Sequence, residues 1–150
     1  MRGNTVRWAS AVSAVALVGM GVIAAAPASA APVKTPVHIV AHTIFDAEDG
    51  AEFESSIPGC ETGTVVNGDN ASAHFTPWGG VFKGDKEFTC AGGDAGFTVR
   101  LTARFSDDGS VGHWTLKSAW GDLEGVKGSG SLVGVPTDGG IDDIYTGRAR

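Results

Sequence analysis

The plainest chemistry in this chain of 150 residues belongs to Cys60 and Cys90. Thirty positions apart, they lack the C-x-x-C spacing of a redox pair or zinc knuckle, and the four histidines do not complete a metal signature around them. In an oxidising compartment an even count of two points to one disulfide. Closing a loop of that size stabilises a fold by about 3 to 4 kcal/mol on chain-entropy arithmetic.

Other reactive side chains form no convincing constellation. His38 and His42 share one face of an expected strand, but four strand residues set their Cα atoms about 13 Å apart, too far to grip one metal. The acidic turns Asp46 to Gly50, Asp107-Asp108-Gly109 and Asp142-Asp143 offer hard oxygen ligands, yet none spells an EF-hand loop, and Asp and Gly are ordinary turn formers. The expectation is no metal site. Gly128-Ser129-Gly130-Ser131-Leu132-Val133-Gly134 superficially resembles a dinucleotide fingerprint, but its third glycine comes one residue late and no helix follows to meet a pyrophosphate. No G-x-S-x-G elbow occurs, so the sequence calls for no nucleophilic catalysis and no cofactor. The seventeen acidic residues admit a glycosidase pair in principle without singling one out. Asn70-Ala71-Ser72 is a sequon that reads as a turn.

The setting of these residues comes from the first thirty. Arg2 and Arg7 form a positive n-region, Ala11 to Ala26 is rich in Ala and Val, and Ala28-Ser29-Ala30 is a signal-peptidase pattern. Ser13, Gly19, Gly21 and Pro27 argue against a retained membrane span. The chain is therefore expected to be secreted, with a leader over residues 1–30 and one domain over 31–150, which is 120 residues. Of 11 Lys plus Arg, two leave with the leader, so nine cations face 17 Asp plus Glu and the net charge is −8. Such a surface disfavours nucleic acid and anionic headgroups as partners.

Beyond the leader the pattern is β-structure punctuated by glycine-rich turns. Gly96 to Phe105 is clearest: Phe97, Val99, Leu101, Ala103 and Phe105 alternate with Thr98, Arg100, Thr102 and Arg104, as in a strand half-buried in an antiparallel sheet. The same reading covers Val37 to Phe45, Glu61 to Asn67, Gly80 to Phe82, Lys86 to Cys90, Val111 to Ala119, Lys127 to Val135 and Ile141 to Arg148. In Val111 to Trp120, the parity of Trp114, Leu116 and Trp120 marks the inner face. Gly128 and Gly130 lie on one face, where an aromatic such as Trp114 can approach closely. Ala47 to Ile57 is the single helix candidate. About eight short strands predict an all-β, small antiparallel β-barrel, because closure removes exposed edges; a β-sandwich is the runner-up.

The run W-T-L-K-S-A-W-G-D-L-E-G-V-K-G-S-G-S-L-V-G from Trp114, followed by I-D-D-I-Y-T-G-R, resembles the closing half of the allene oxide cyclase-like barrel proteins of secreted actinobacterial origin. C-E-T-G-T-V from Cys60 and F-K-G-D-K-E-F-T-C from Phe82 are similar to that group too. The resemblance implies an allene oxide cyclase-like barrel and, by the group's name, a cyclase or isomerase acting on a lipid-derived substrate. No catalytic residue carries over. The residues themselves favour a non-enzymatic module holding a small hydrophobic ligand in an interior lined by Phe97, Val99, Leu101 and Trp114. A display scaffold acting by surface contact at the cell envelope is the third class. Whether the interior is open or filled, and how many copies assemble, the sequence leaves undecided.

Overall fold

A computed structural model describes residues 33–44 and 50–150. The leader and the acidic turn Asp46 to Asp49 lie outside the described residues. Nine strands follow in order: β1 (Thr35–Ile44), β2 (Ala51–Ser55), β3 (Thr62–Asn67), β4 (Ser72–Thr76), β5 (Gly79–Cys90), β6 (Gly96–Ser106), β7 (Gly109–Trp120), β8 (Gly128–Thr137) and β9 (Gly140–Ala149). Among the described residues the one helical element is a 3₁₀ turn, Gly121–Leu123, and no helix is long and apolar enough to cross a membrane.

All pairings are antiparallel, and β3-β2-β1-β9-β8-β7-β6-β5 closes through β3–β5 into an eight-stranded barrel. This is the expected fold class. The ninth strand, β4, arises because β5 is long enough for two successive partners on one edge: β4 pairs with Gly79 to Lys83, and β3 with Lys86 to Cys90. Gly80 to Phe82 and Lys86 to Cys90, expected as separate strands, are thus one. Gly84 sits at the changeover, where a Cβ would collide with Ala71, so only glycine lets the chain pass there.

Part of the helix candidate is a strand instead. Ala51 and Phe53 are buried while Glu52 and Glu54 are exposed, a period of two that seats β2 between β1 and β3. The inner-face reading of β7 also needs correction at its end. Thr98 pairs with Ser118 but Val99 with Leu116, so Lys117 is an extra residue and parity flips after it. Trp114 and Leu116 point inward, whereas Trp120 lies outside over Gly96, whose Cβ would strike the indole.

The bulge has an electrostatic purpose. It sends Lys117 Nζ to Asp85 Oδ2 at 2.5 Å, while Arg100 donates from Nε to Oδ1 at 2.9 Å and from Nη2 to Oδ2 at 3.2 Å. Asn70 completes the shell: its amide donates to Oδ2 at 3.0 Å and its Oδ1 accepts from the Asp85 N–H at 2.8 Å. These hydrogen bonds, Arg100 first and Lys117 next, hold the Asp85 carboxyl far below the usual carboxylate range, against the opposing effect of burial. A group whose folded value is depressed stabilises the fold above its unfolded value of 3.8 and loses that contribution as pH falls toward the folded value. Asp85→Asn is therefore expected to cost about 2 kcal/mol at neutral pH, a figure discounted because Arg100 and Lys117 are half-exposed. Urea titrations should show the gap between wild type and variant shrinking below about pH 4; a pH-independent gap contradicts this assignment.

The two ends of the barrel are filled differently. Toward the ends of β5 and β9 and the start of β6, Phe88 stacks on Phe97 at 4.7 Å, and Phe53 and Tyr145 meet Phe88 edge-on at 5.2 and 5.5 Å. Ile39 and Val99 complete this packed half. Cys60 and Cys90 are joined, Cα atoms 4.9 Å apart, so the bridge ties the loop after β2 to the end of β5. Trp114 lies against the Gly130–Gly147 pair, donating from Nε1 to the carbonyls of Ser131 and Thr146 at 3.1 and 3.2 Å. A Cβ on Gly147 would stand 2.7 Å from the indole. Glycine on these strands makes room for the aromatic.

Candidate functional site

At the opposite end the inward positions carry short side chains: Ala103 on β6, Ser110 and Gly112 on β7, and Gly134 on β8. Their small size opens a cavity of about 490 Å³ whose wall draws on every strand except β2. Leu101, Ala103, Leu132, Phe82 and Ile141 give an apolar lining, and Phe105 stands at the rim against Phe75 of β4, ring centroids 5.4 Å apart. Phe75 is 74% exposed because β4 extends the wall past the closed ring.

Two charged residues face into this chamber. Lys86 shares parity with Phe88 and Cys90, and Asp143 with Ile141 and Tyr145, so both point inward, from β5 and β9 on opposite sides of the ring. Nζ of Lys86 lies 4.0 Å from Oδ2 of Asp143, a separation of opposite charges without a close hydrogen bond, and their side chains are 13% and 11% exposed. The ammonium also sits 5.4 Å from the Phe82 ring centroid, within cation–π range. Burial pulls Lys86 below its ordinary value, with Asp143 opposing. Burial pushes Asp143 up, opposed by Lys86 and aided by the neighbouring carboxylate of Asp142. Both shifts favour the neutral forms.

Two hydroxyls nearby have no partner among the described residues. Thr43 Oγ1, from the β1 side of the wall, is buried without a hydrogen bond, as is the hydroxyl of Tyr145, one inward position deeper than Asp143. Burial, then the charge of Asp143, raises the phenol well above its ordinary value, so it stays protonated. A buried hydroxyl with no acceptor costs stability. Tyr145→Phe is expected to raise unfolding free energy by about 1 kcal/mol in urea titration, and a loss of that size contradicts an orphaned hydroxyl.

Of the residues named from sequence as lining, Leu101 is in the cavity wall, while Phe97, Val99 and Trp114 are buried in the packed half. The sequence reading names Asp143 only as an oxygen ligand in an acidic turn and does not name Lys86 or Thr43 as a site residue; a charged residue at inward parity is the signal that points to Lys86 and Asp143. The other sequence candidates lie elsewhere. His38 and His42 are exposed on the outer face, where His42 Nδ1 meets Asp142 Oδ1 at 2.9 Å. Asp142 and Asp143 therefore look to opposite faces and cannot share an ion. Among the described residues no group of three His, Cys, Asp or Glu side chains is placed to hold a metal. Asn70 of the sequon is engaged with Asp85 in the turn before β4.

A larger groove, about 740 Å³, crosses the outside of β5 to β8 between Val81, Arg104, Val111, His113 and Val133. Val111 and Val133 are 62% and 47% exposed. The groove lies on the outer face and gathers no buried charge, whereas the chamber brings Lys86 and Asp143 together inside the ring, so the chamber is the better candidate. Compared with protein-family models, curated proteins and solved structures, the chain finds no match.

Proposed function

We propose that the protein is a secreted binding module that holds a small, mainly apolar molecule with a polar end in the open half of its barrel. One observation carries this reading: strands from all round the ring converge on a mainly apolar chamber of about 490 Å³ into which Lys86 and Asp143 face each other. That volume is within the range of ligand pockets, and an eight-stranded barrel has room for one such guest. The side chains of Leu101, Leu132 and Ile141 would cover the apolar body. Lys86, Thr43 and Asp143 offer donors and acceptors to the polar end. The disulfide suits an oxidising compartment, and the leader reading of residues 1–30 supplies the route there. Native mass spectrometry of protein recovered from its own secretion medium tests the proposal. A retained small molecule, released on denaturation, is expected; protein that is bare and takes up no apolar probe overturns it.

A second reading is favoured by the acid–base character of the Lys86–Asp143 pair. A cyclase or isomerase acting on a lipid-derived substrate needs a proton donor and acceptor inside a dry chamber, and buried groups displaced toward neutrality are suited to that work. The resemblance of the Trp114 to Arg148 region to allene oxide cyclase-like barrels supports the same alternative. Turnover of an epoxide and oxylipin panel above the buffer rate would favour it, with Asp143→Asn abolishing that rate. No turnover across the panel leaves the binding module.

A further inference from the structure

We propose that Lys86 captures the carbonyl group of its guest as an imine, so that amphipathic aldehydes and ketones are the ligand class of the barrel. This rests on the binding reading above and sharpens it. Five features of the chamber converge on that chemistry. Among the described residues Lys86 is the only amine in the cavity wall; Lys83, the next lysine on β5, has the opposite parity. Its Nζ lies in the chamber beside an aromatic ring and apolar side chains rather than in water. The carboxyl of Asp143 is 4.0 Å away, too far to clamp the amine in a hydrogen bond and close enough to meet the oxygen of a carbonyl held at the amine. The buried hydroxyl of Thr43, on the same wall, has no partner among the described residues. Among the described residues the one other ionisable group turned into this part of the barrel, Tyr145, stays neutral.

Burial lowers the cost of the uncharged amine, and the same burial keeps a proton on Asp143 more readily than water would. The neutral Lys86 amine adds its lone pair to the carbonyl carbon, forming the C–N bond while the C=O π pair moves to oxygen. That oxygen takes the Asp143 proton, and the resulting carboxylate takes one from the nitrogen, which gives a neutral carbinolamine. In the second step the nitrogen lone pair forms C=N, the C–O bond breaks, and the hydroxyl leaves as water with the Asp143 proton. The remaining N–H proton returns to Asp143. The sum is amine plus carbonyl to imine plus water, with no oxidant or reductant. The apolar body of the guest, held by Leu101, Leu132 and Ile141, places the carbonyl end at the amine.

The test uses decanal as probe and sodium cyanoborohydride to trap any imine as a stable secondary amine. Intact mass should rise by one alkyl group per chain, and peptide mapping should place it on Lys86 with at least a tenfold preference over Lys34, Lys83, Lys117, Lys127 and the amino terminus. Lys86→Met should lose the label yet bind decanol, followed by displacement of an apolar fluorophore. Because the mapping is done on the wild-type protein, the test stands even where the variant folds poorly. Label spread over the surface lysines, or none, while decanal still displaces the fluorophore, overturns the imine and leaves the binding reading intact. Failure of both decanal and decanol to displace the fluorophore overturns both.

Discussion

Ala103→Trp is expected to weaken binding of an apolar fluorophore by about a hundredfold, close to 2.8 kcal/mol at 1.4 kcal/mol per tenfold. Ala103 faces the chamber from its β6 wall and lines it together with Leu132 and Ile141, so an indole there would occupy the volume a guest needs. Overpacking of a filled core costs about 1 to 3 kcal/mol, whereas an indole entering existing space costs less. Thermal unfolding should therefore change little while affinity collapses. A variant that binds as tightly as wild type places the guest elsewhere; one that loses affinity and several kcal/mol of stability together reports a damaged core. The outer groove provides the control, because Val111→Ser changes an exposed side chain that the interior chamber does not use.

Loss of the disulfide is expected to be the largest single blow to stability. The Cys60–Cys90 bridge closes a loop of thirty positions, which corresponds to about 3 to 4 kcal/mol of denatured-state entropy. Both sulfur-bearing residues are buried against the packed half, so Cys60→Ala with Cys90→Ala also removes core contacts beside Phe53 and Phe88. For a domain of this size each kcal/mol shifts the melting temperature by about 4 °C, so a fall of 12 °C or more is predicted. The same fall should follow from reducing the wild-type protein. A fall under about 4 °C for both would mean that the bridge decorates a fold already fixed by its strands.

The architecture was legible where side chains obey a strict period of two. In Gly96 to Phe105 the inward residues are buried or nearly so, and the weaker alternating segments account for six further strands of the ring, two of the seven having merged into β5 and β2 not being among them. Legibility failed where the pattern was short, absent or shifted. Ala51–Ser55 alternates, but five residues with two glutamates mimic the start of a helix. Ser72–Thr76 is exposed throughout, so it has no buried face to write into the sequence; its place is set by the length of β5. Trp120 follows the parity of Trp114 on paper and departs from it because Lys117 bulges to reach Asp85, a partner contributed by another strand.

The site was harder to read for a related reason. Whether glycine-rich strands draw together or leave space depends on which large residues meet across the barrel. Phe53, Phe88, Phe97 and Tyr145 converge at one end and fill it, while Ala103, Ser110 and Gly134 converge at the other and do not. That convergence depends on the register of neighbouring strands and on the stagger of the ring, which no single segment specifies. Lys86 and Asp143 are far apart in the chain, and charged residues on strands usually face water. Their parity with Phe88 and Tyr145 held the clue, and the closed ring brings them to 4.0 Å.

The open half of the barrel as the place where a guest resides is tested most directly by NMR. Methyl and amide shifts of the labelled protein would be followed while decanol is added. The largest changes are predicted for Leu101, Ala103, Leu132 and Ile141, with Val111 and Val133 on the outer wall unmoved. Saturable changes confined to the outer valines, or none at ligand concentrations that saturate other small barrels, would contradict the account.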